Sequence, residues 1–488
     1  MINGERRNIF GTLLPALYLA AATLIFVQIA GAQSQYPPLS RNYWTQLVGP
    51  MGMTPEGFGD RQNSWAWSMV WFNGKLLVGT NRANGCVAKA DGHLTNPKIP
   101  YPPPDPDILC APNPDDLPLQ AEIWSWDPST NMWTMVYQSP NDIPIPGTSP
   151  QLYTAADIGY RNMYIFTEQS GTQALYVSSC RSIFKGVPGA RVLRTTDGVN
   201  FAPLAQDKGT VLGDLNSTCF RGATTYNSKL YLIAAEPWSL LEAANPEQGD
   251  NAFRVVSAPG QDAEEVAVFN NYLYVSYGSS ADGFTLSKTD ATGSVPYAMT
   301  PIIVNGGYKT PWPNKSILSM AVFNGSLFCG GDGLRHSGDF NAQGAELFRV
   351  NTDDSWDLIV GEARTLPDGT MITPLSGLGV GFGWNYNNHI WRQEVFDNRL
   401  YVGTFDESTQ LRFDNATFLA PEEGFDLYYT DDGVTYNLIN KVGFGNKFND
   451  GVRSLLTTPY GLFLGTANQY FGLDVYLGVP KGFVAPTP

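Results

Sequence analysis

Phe72-Asn73-Gly74-Lys75-Leu76-Leu77-Val78-Gly79-Thr80 is the stretch on which the fold turns. An aromatic residue closes one β-rich run, Asn-Gly makes the turn, and Leu-Leu-Val-Gly-Thr opens the next run. Asn and Gly tolerate the positive φ that a two-residue hairpin turn demands, so the stretch predicts two antiparallel strands. Variants recur at Tyr160-Arg161-Asn162-Met163-Tyr164 and from Tyr226, Phe269, Phe323 and Phe396. A final copy is Tyr460-Gly461-Leu462-Phe463-Leu464-Gly465-Thr466. A hairpin repeated at such spacing is the mark of a repeat architecture.

A second hairpin follows most copies. Glu122-Ile123-Trp124-Ser125-Trp126-Asp127 leads to Trp133, and Val192-Leu193-Arg194-Thr195-Thr196-Asp197-Gly198 leads to Phe201. Leu347-Phe348-Arg349 leads to Trp356, and Leu427-Tyr428-Tyr429-Thr430-Asp431-Asp432-Gly433 leads to Tyr436. Two hairpins per repeat predict a four-stranded blade, and the repeats together predict an all-β, seven-bladed β-propeller. Short β-branched and aromatic runs broken by Gly and Asn argue against helices.

The last repeat ends at Asp474-Val475-Tyr476-Leu477 without a fourth strand. A matching segment, Tyr43-Trp44-Thr45-Gln46-Leu47-Val48-Gly49, stands near the other terminus. Pairing the two predicts closure of the ring by the N-terminal strand, with no free edge left to aggregate. Gly57-Phe58-Gly59 with Asn63, Gly381-Phe382-Gly383 with Asn387, and Gly443-Phe444-Gly445 with Asn449 place the N-terminal segment in phase with the connections between blades.

The Thr-Thr-Asp-Gly-Val-Asn-Phe turn at 195–201 and the Thr-Asp-Asp-Gly-Val-Thr-Tyr turn at 430–436 resemble the Asp-box of sialidase-like propellers, one residue short between Asp and Gly. Residues 126–133 look kelch-like. Taken whole, residues 43–478 resemble a group of secreted bacterial propellers that carry the Gly-Phe-Gly…Asn and Leu-Tyr-Val-Gly-Thr patterns. That resemblance implies fold and export and carries over no catalytic residue. The Arg-Ile-Pro signature of sialidases is absent.

Residues 1–32 read as a signal peptide: Arg6 and Arg7, an apolar run from Ile9 to Ala30 interrupted by Pro15, then Ala30-Gly31-Ala32 as a cleavage site; the alternative is an uncleaved anchor, since the run is long enough to span a bilayer. Residues 33–480 are expected to form one propeller domain and 481–488 a C-terminal tail. After cleavage no membrane association is expected, and the localisation is secreted or periplasmic. The 50 Gly, 35 Pro and 13% aromatic residues suit short strands and tight turns. A net charge of −15 lacks the basic stripe of a nucleic-acid binder. Five cysteines in an exported chain predict two disulfides, Cys86 with Cys110 and Cys180 with Cys219, leaving Cys329 buried. No Cys/His spacing suits a metal, and no phosphate loop, serine elbow or HExxH motif occurs, so no metal or cofactor is expected. Four glycosylation triplets start at Asn216, Asn314, Asn324 and Asn415; the hairpin position makes Asn324 the poorest acceptor.

In a propeller, the loops entering the first strand and leaving the second converge on one channel mouth. Reading those positions gives Arg221, Arg392 and Arg453 at similar offsets in three blades, a pattern suited to a carboxylate, sulfate or phosphate. Glu264 and Glu265 could equally offset them as a structural plug. His389, beside Trp391 and Arg392, is the acid–base candidate, with Arg392 and Glu265 as further catalytic candidates. Arg453, Asn468, Asn81, Arg82, Glu236 and Asp406 complete the binding set. Asp332 with Asp406, or Glu168 with Glu236, are the carboxylate pairs to test for glycoside hydrolysis. Trp65, Trp238, Trp312 and Trp384 are expected to be exposed. The set predicts a cofactor-independent lyase, hydrolase or cyclase acting on a small polar or anionic ligand. The alternative is a non-catalytic propeller that binds glycans or proteins. Either is expected to be a monomer.

Overall fold

The computed structural model describes residues 33–181, 189–235, 238–333, 343–412 and 417–486. The signal-like segment 1–32, Glu236 and Asn415 lie outside them. The described chain is all-β and its sheets are antiparallel.

Asn73 and Gly74 adopt φ of 49° and 75°, and the turn joins Asn63–Phe72 to Lys75–Arg82. Glu122–Asp127 pairs with Lys75–Arg82, and Met132–Gln138 pairs with Glu122–Asp127. The same four-strand order repeats down the chain. Gly159–Thr167, Gln173–Cys180, Val192–Thr195 and Ala202–Pro203 form the next group. Cys219–Tyr226, Lys229–Ala235, Ser239–Ala243 and Phe253–Val255 follow. Ala263–Phe269, Tyr272–Tyr277, Thr285–Thr289 and Thr300–Ile303 come next. Ser316–Phe323, Ser326–Asp332, Leu347–Val350 and Trp356–Val360 form another. Asn387–Phe396, Arg399–Asp406, Leu427–Thr430 and Asn437–Asn440 form the one after it. In the last group Gly451–Thr458, Gly461–Ala467 and Val475–Gly478 are joined by Trp44–Val48 from the other end of the chain.

The core lies between the faces of neighbouring sheets. Phe166 and Tyr176 of one sheet pack with Phe220, Leu230 and Leu232 of the next. Val48, Phe463 and Val475 pack in the same way with Ala66, Leu76 and Trp126. The glycine of the Val-Gly-Thr motif is explained by this packing rather than by its φ. A Cβ on Gly79 would stand 2.8 Å from Tyr160 Cβ in the next sheet, and one on Gly465 would stand 2.5 Å from Ala66 Cβ. Glycine therefore allows the second strand of one group to approach the first strand of the next.

The Gly-Phe-Gly…Asn motif is a corner device. Gly381 and Phe382 hold φ of 58° and 62°, a left-handed pair that Asn387 secures. Asn387 Nδ2 donates to Gly381 O at 3.0 Å and to Asp426 Oδ2 at 2.9 Å. Asn63 repeats this with Gly57 and Glu122, and Asn449 with Gly443 and Asp474. Phe382 stacks on Tyr428 with centroids 4.2 Å apart. Gly306 and Gly307 form a further left-handed corner of this type, with Asn314 reaching Glu346.

Two disulfides join Cys86 to Cys110 and Cys180 to Cys219, and Cys329 is a buried free thiol. No helix among the described residues is long and apolar enough to cross a membrane. Several expectations are corrected. Tyr160-Arg161-Asn162 is not a turn: it lies inside Gly159–Thr167, and the hairpin turns at residues 168–172. The Leu-Tyr-Val run of this repeat is Leu175-Tyr176-Val177, followed by serine where four other copies carry glycine, and its turn lacks Asn-Gly. Asn314, not Asn324, is the poorest glycan acceptor, because it is fully buried. Trp65 and Trp384 are part-buried, whereas Trp312 is exposed. Beyond residue 480, Phe483 packs against Tyr36 and Phe396.

Candidate anion-binding channel

Each innermost strand carries a β-bulge at the same phase. The extra residue is Trp67, Arg161, Glu264, Leu318, Trp391 or Arg453, and in Cys219–Tyr226 the slip falls on Arg221 and Gly222. A bulge breaks the alternation of side chains and re-aims the one it inserts. The bulge and the two residues after it line one cavity of about 270 Å³: Trp67–Met69, Arg161–Met163, Arg221–Ala223, Leu318–Met320, Trp391–Gln393 and Arg453–Leu455, with Glu265 and Val266 from the remaining strand.

Four guanidiniums therefore meet in this cavity. Arg221 forms an ion pair with Glu264 and lies 5.1 Å from the ring of Trp238. Arg392 donates from Nε to the carbonyl of Arg453 at 2.9 Å. Arg453 is 1% exposed, and its Nε and Nη1 have no hydrogen-bond partner among the described residues. Its charge faces the rings of Trp391 at 4.8 Å and of Trp65 and Trp67 at 5.9 Å. Arg161 lies over the ring of Trp67, 5.5 Å from its centroid. Burial, and then the neighbouring guanidiniums, hold the pKa values of Arg453 and Arg161 well below the usual arginine range. Burial raises both Glu264 and Glu265, with Arg221 and Arg392 respectively opposing the shift. Among the described residues no carboxylate stands within ion-pair distance of Arg161, Arg392 or Arg453. A desolvated guanidinium without a counter-ion is costly unless an anion supplies the missing charge.

The cavity brings together Arg221, Arg392, Arg453 and Glu265 of the sequence-derived set, and the arginines sit within strands rather than in loops. His389 lies outside the cavity lining. Its Nδ1 stands 2.8 Å from Asp332 Oδ1, and its ring stacks on Phe405 at 4.8 Å. Asp332 also meets Lys315 at 3.0 Å. The other residues serve the frame. Asn468 donates to Asn449 at 3.1 Å, and Asn81 to the carbonyl of Ile158 at 3.3 Å. Arg82 ties Asp60, Asn63 and the carbonyl of Pro118 together. Asp406, whose pKa burial raises well above the carboxylate range, accepts from Ser408 N and Trp384 Nε1. Glu168 belongs to a hairpin turn, where Arg194 and Tyr176 bind it.

Sequence reading missed Arg161 and the two tryptophans of the bulge ring. A signal was present: Gly159-Tyr160-Arg161 and Gly451-Val452-Arg453 share a Gly-x-Arg pattern. A Cβ on Gly159 would collide with Trp67, and one on Gly451 with Trp391. Each of these bulged tryptophans thus lies over the glycine of the next strand and beside that strand's bulged arginine.

No family model and no curated protein matches the chain. Among solved structures it is similar to PorZ, a bacterial surface component of the type-IX secretion system of Porphyromonas gingivalis. Identity is 13%, the TM-score is 0.48, and the match covers 89% of this chain and 48% of that one. It is also similar to a puromycin-hydrolyzing peptidase of Mycobacterium tuberculosis, at 10% identity and TM-score 0.44, over 83% and 50% of the two chains. A streptogramin B lyase matches at 9% identity and TM-score 0.41, over 89% and 97%. The chain spans about half the length of the first two.

Proposed function

We propose that this chain is an exported, monomeric, seven-bladed β-propeller that captures a small anionic ligand in its central channel. The four-strand groups are its blades, and Trp44–Val48 closes the last of them. Three features support closure. Gly451–Thr458 packs beside Asn63–Phe72, just as the earlier innermost strands pack beside one another. Ser454 Oγ donates to the carbonyl of Ala66 at 3.0 Å, repeating the Ser68-to-Tyr160 and Ser319-to-Ile390 bonds between other neighbours. Trp65 bridges to Ala467. Two disulfides accord with export to an oxidising compartment.

The observation that carries the functional reading is the set of four guanidiniums lining one cavity, with Arg453 buried and two of its nitrogens unpartnered. Such an array recognises carboxylate, sulfate or phosphate groups through charge-assisted hydrogen bonds. A second reading adds turnover by a lyase, hydrolase or cyclase. It is favoured by Glu265, a cavity carboxyl raised by burial, which among the described residues accepts a hydrogen bond from the amide of Val266 alone, at 3.0 Å. In that reading Glu265 is the acid–base group, and His389 with Asp332 is not part of the chemistry.

Isothermal titration of the purified protein with a panel of acidic sugars and small carboxylates tests the proposal. Binding that is lost in an Arg392→Ala, Arg453→Ala double variant with a cooperative melt supports it. Equal binding by parent and double variant overturns it. Turnover that disappears in Glu265→Gln while binding persists supports the catalytic reading.

A further inference from the structure

The arginines are not spread evenly around the channel. Arg392 and Arg453 come from adjacent strands, as do Arg161 and Arg221; the Trp67 strand lies between those of Arg453 and Arg161, whose guanidiniums stand 5.9 and 5.5 Å from its ring. Beyond this arc, the strand beside that of Arg221 carries Glu264 and Glu265, and the strand after it Leu318. The four guanidiniums face two carboxylates, and the Arg221–Glu264 pair is self-contained. Two positive charges are left over on the arc, more if the raised glutamates take up protons. The same strands also present Met69, Met163, Val266 and Leu455 to the cavity, all nearly buried.

We infer that the ligand is a small dianion, a sulfate, a phosphate monoester or a dicarboxylate, held against the Arg161–Arg453 arc. This rests on the anion-binding reading above. Two surplus charges in one cavity are matched by a doubly charged ligand, and a monoanion leaves one guanidinium uncompensated. The cavity volume of about 270 Å³ sets the scale. At about 30 Å³ per water in the liquid it has room for roughly nine waters. A headgroup of this class with a short carbon skeleton fits, and a polysaccharide chain does not fit within the cavity itself.

The test is titration of the purified protein with sulfate, malonate, phenyl phosphate, acetate and nitrate at constant ionic strength. Sulfate and malonate should bind at least tenfold more tightly than acetate and nitrate. A phosphate monoester gains its second charge near pH ~6. The affinity of phenyl phosphate relative to sulfate should therefore rise between pH 5 and pH 8, with sulfate reporting any change in the protein itself. Arg161→Gln removes one surplus charge and should bring dianions and monoanions within a few-fold of each other. Should Arg161→Gln fail to fold, Arg453→Met, of similar side-chain volume, provides a second variant, which should lose sulfate and malonate binding altogether. Equal affinity for both charge classes in the parent overturns the dianion inference and leaves the anion site standing. No saturable binding of any probe overturns both.

Discussion

Arg453→Met should make the ligand-free protein more stable while abolishing its response to anions. Arg453 is 1% exposed, has no carboxylate partner, and leaves Nε and Nη1 without acceptors. Burying such an ion costs several kcal/mol after relaxation. The three tryptophan faces at 4.8 to 5.9 Å return part of that, about 0.5–2 kcal/mol each. Methionine fills a similar volume with no desolvation cost, so the net gain should be roughly 1–3 kcal/mol. Unfolding entropy scales with length, so the melting temperature of a chain this large should rise only about 1 °C per kcal/mol. A urea titration is therefore the better assay. Sulfate at a hundred times its Kd should stabilise the parent by about 2.7 kcal/mol and the variant scarcely at all. The variant's lead in sulfate-free buffer should thus shrink by about 2.7 kcal/mol in sulfate-rich buffer. A variant less stable than the parent without anion would show that Arg453 is a structural pin, and equal stabilisation of both by sulfate would place the anion elsewhere.

Three further outcomes follow from the frame. Burial raises the carboxyl of Asp450 to about 7, against the weaker pull of Gln410 and Gln469. A carboxyl with a raised folded pKa contributes stability that is fully present below its unfolded pKa, near ~4, and is lost as pH rises to about 7. Asp450→Asn should therefore match the parent near pH 4 and exceed it at pH 8 by a few kcal/mol in urea melts; equal stability at pH 8 would contradict the assignment. Deleting residues 33–50 removes the Trp44–Val48 strand and buried Leu39, so the product should be insoluble or lose its cooperative melt, and an unchanged melt would rule out closure. The double variant Cys86→Ser, Cys110→Ser opens a loop of sequence separation 24 and should lose about 3 kcal/mol, measurable by non-reducing urea titration.

The hairpin repeat was legible because its turn chemistry is local: Asn73-Gly74, Asn270-Asn271 and Asn324-Gly325 all hold positive φ. The repeat from Gly159 was misread for the same reason, since its turn lacks Asn-Gly and Tyr160-Arg161-Asn162 imitates one. The Gly-Phe-Gly corners were seen as phase markers but not as left-handed corners secured by Asn63, Asn387 and Asn449. Their partners Glu122, Asp426 and Asp474 lie 25 to 59 residues away in sequence. The site was legible in part. Repeat phase placed Arg221, Arg392, Arg453 and Glu265 near the axis, but it could not show bulges, which depend on register between two strands. That is why Arg161 was missed and the arginines were assigned to loops. Asn81, Arg82, Asn468 and Asp406 share the phase of the cavity arginines, yet each is held by hydrogen bonds to backbone or side-chain atoms of the frame. Polarity at a channel mouth does not distinguish a frame residue from a ligand-binding one; an unpartnered buried charge does.

Selenate mimics sulfate and scatters anomalously, so a crystal structure of the protein in selenate tests the account most directly. The account predicts one strong anomalous peak inside the cavity, within hydrogen-bond distance of the Arg453 and Arg161 guanidiniums, and its loss in Arg453→Met. A cavity holding only water, with selenate confined to the outer surface, would contradict the claim that this channel is an anion site.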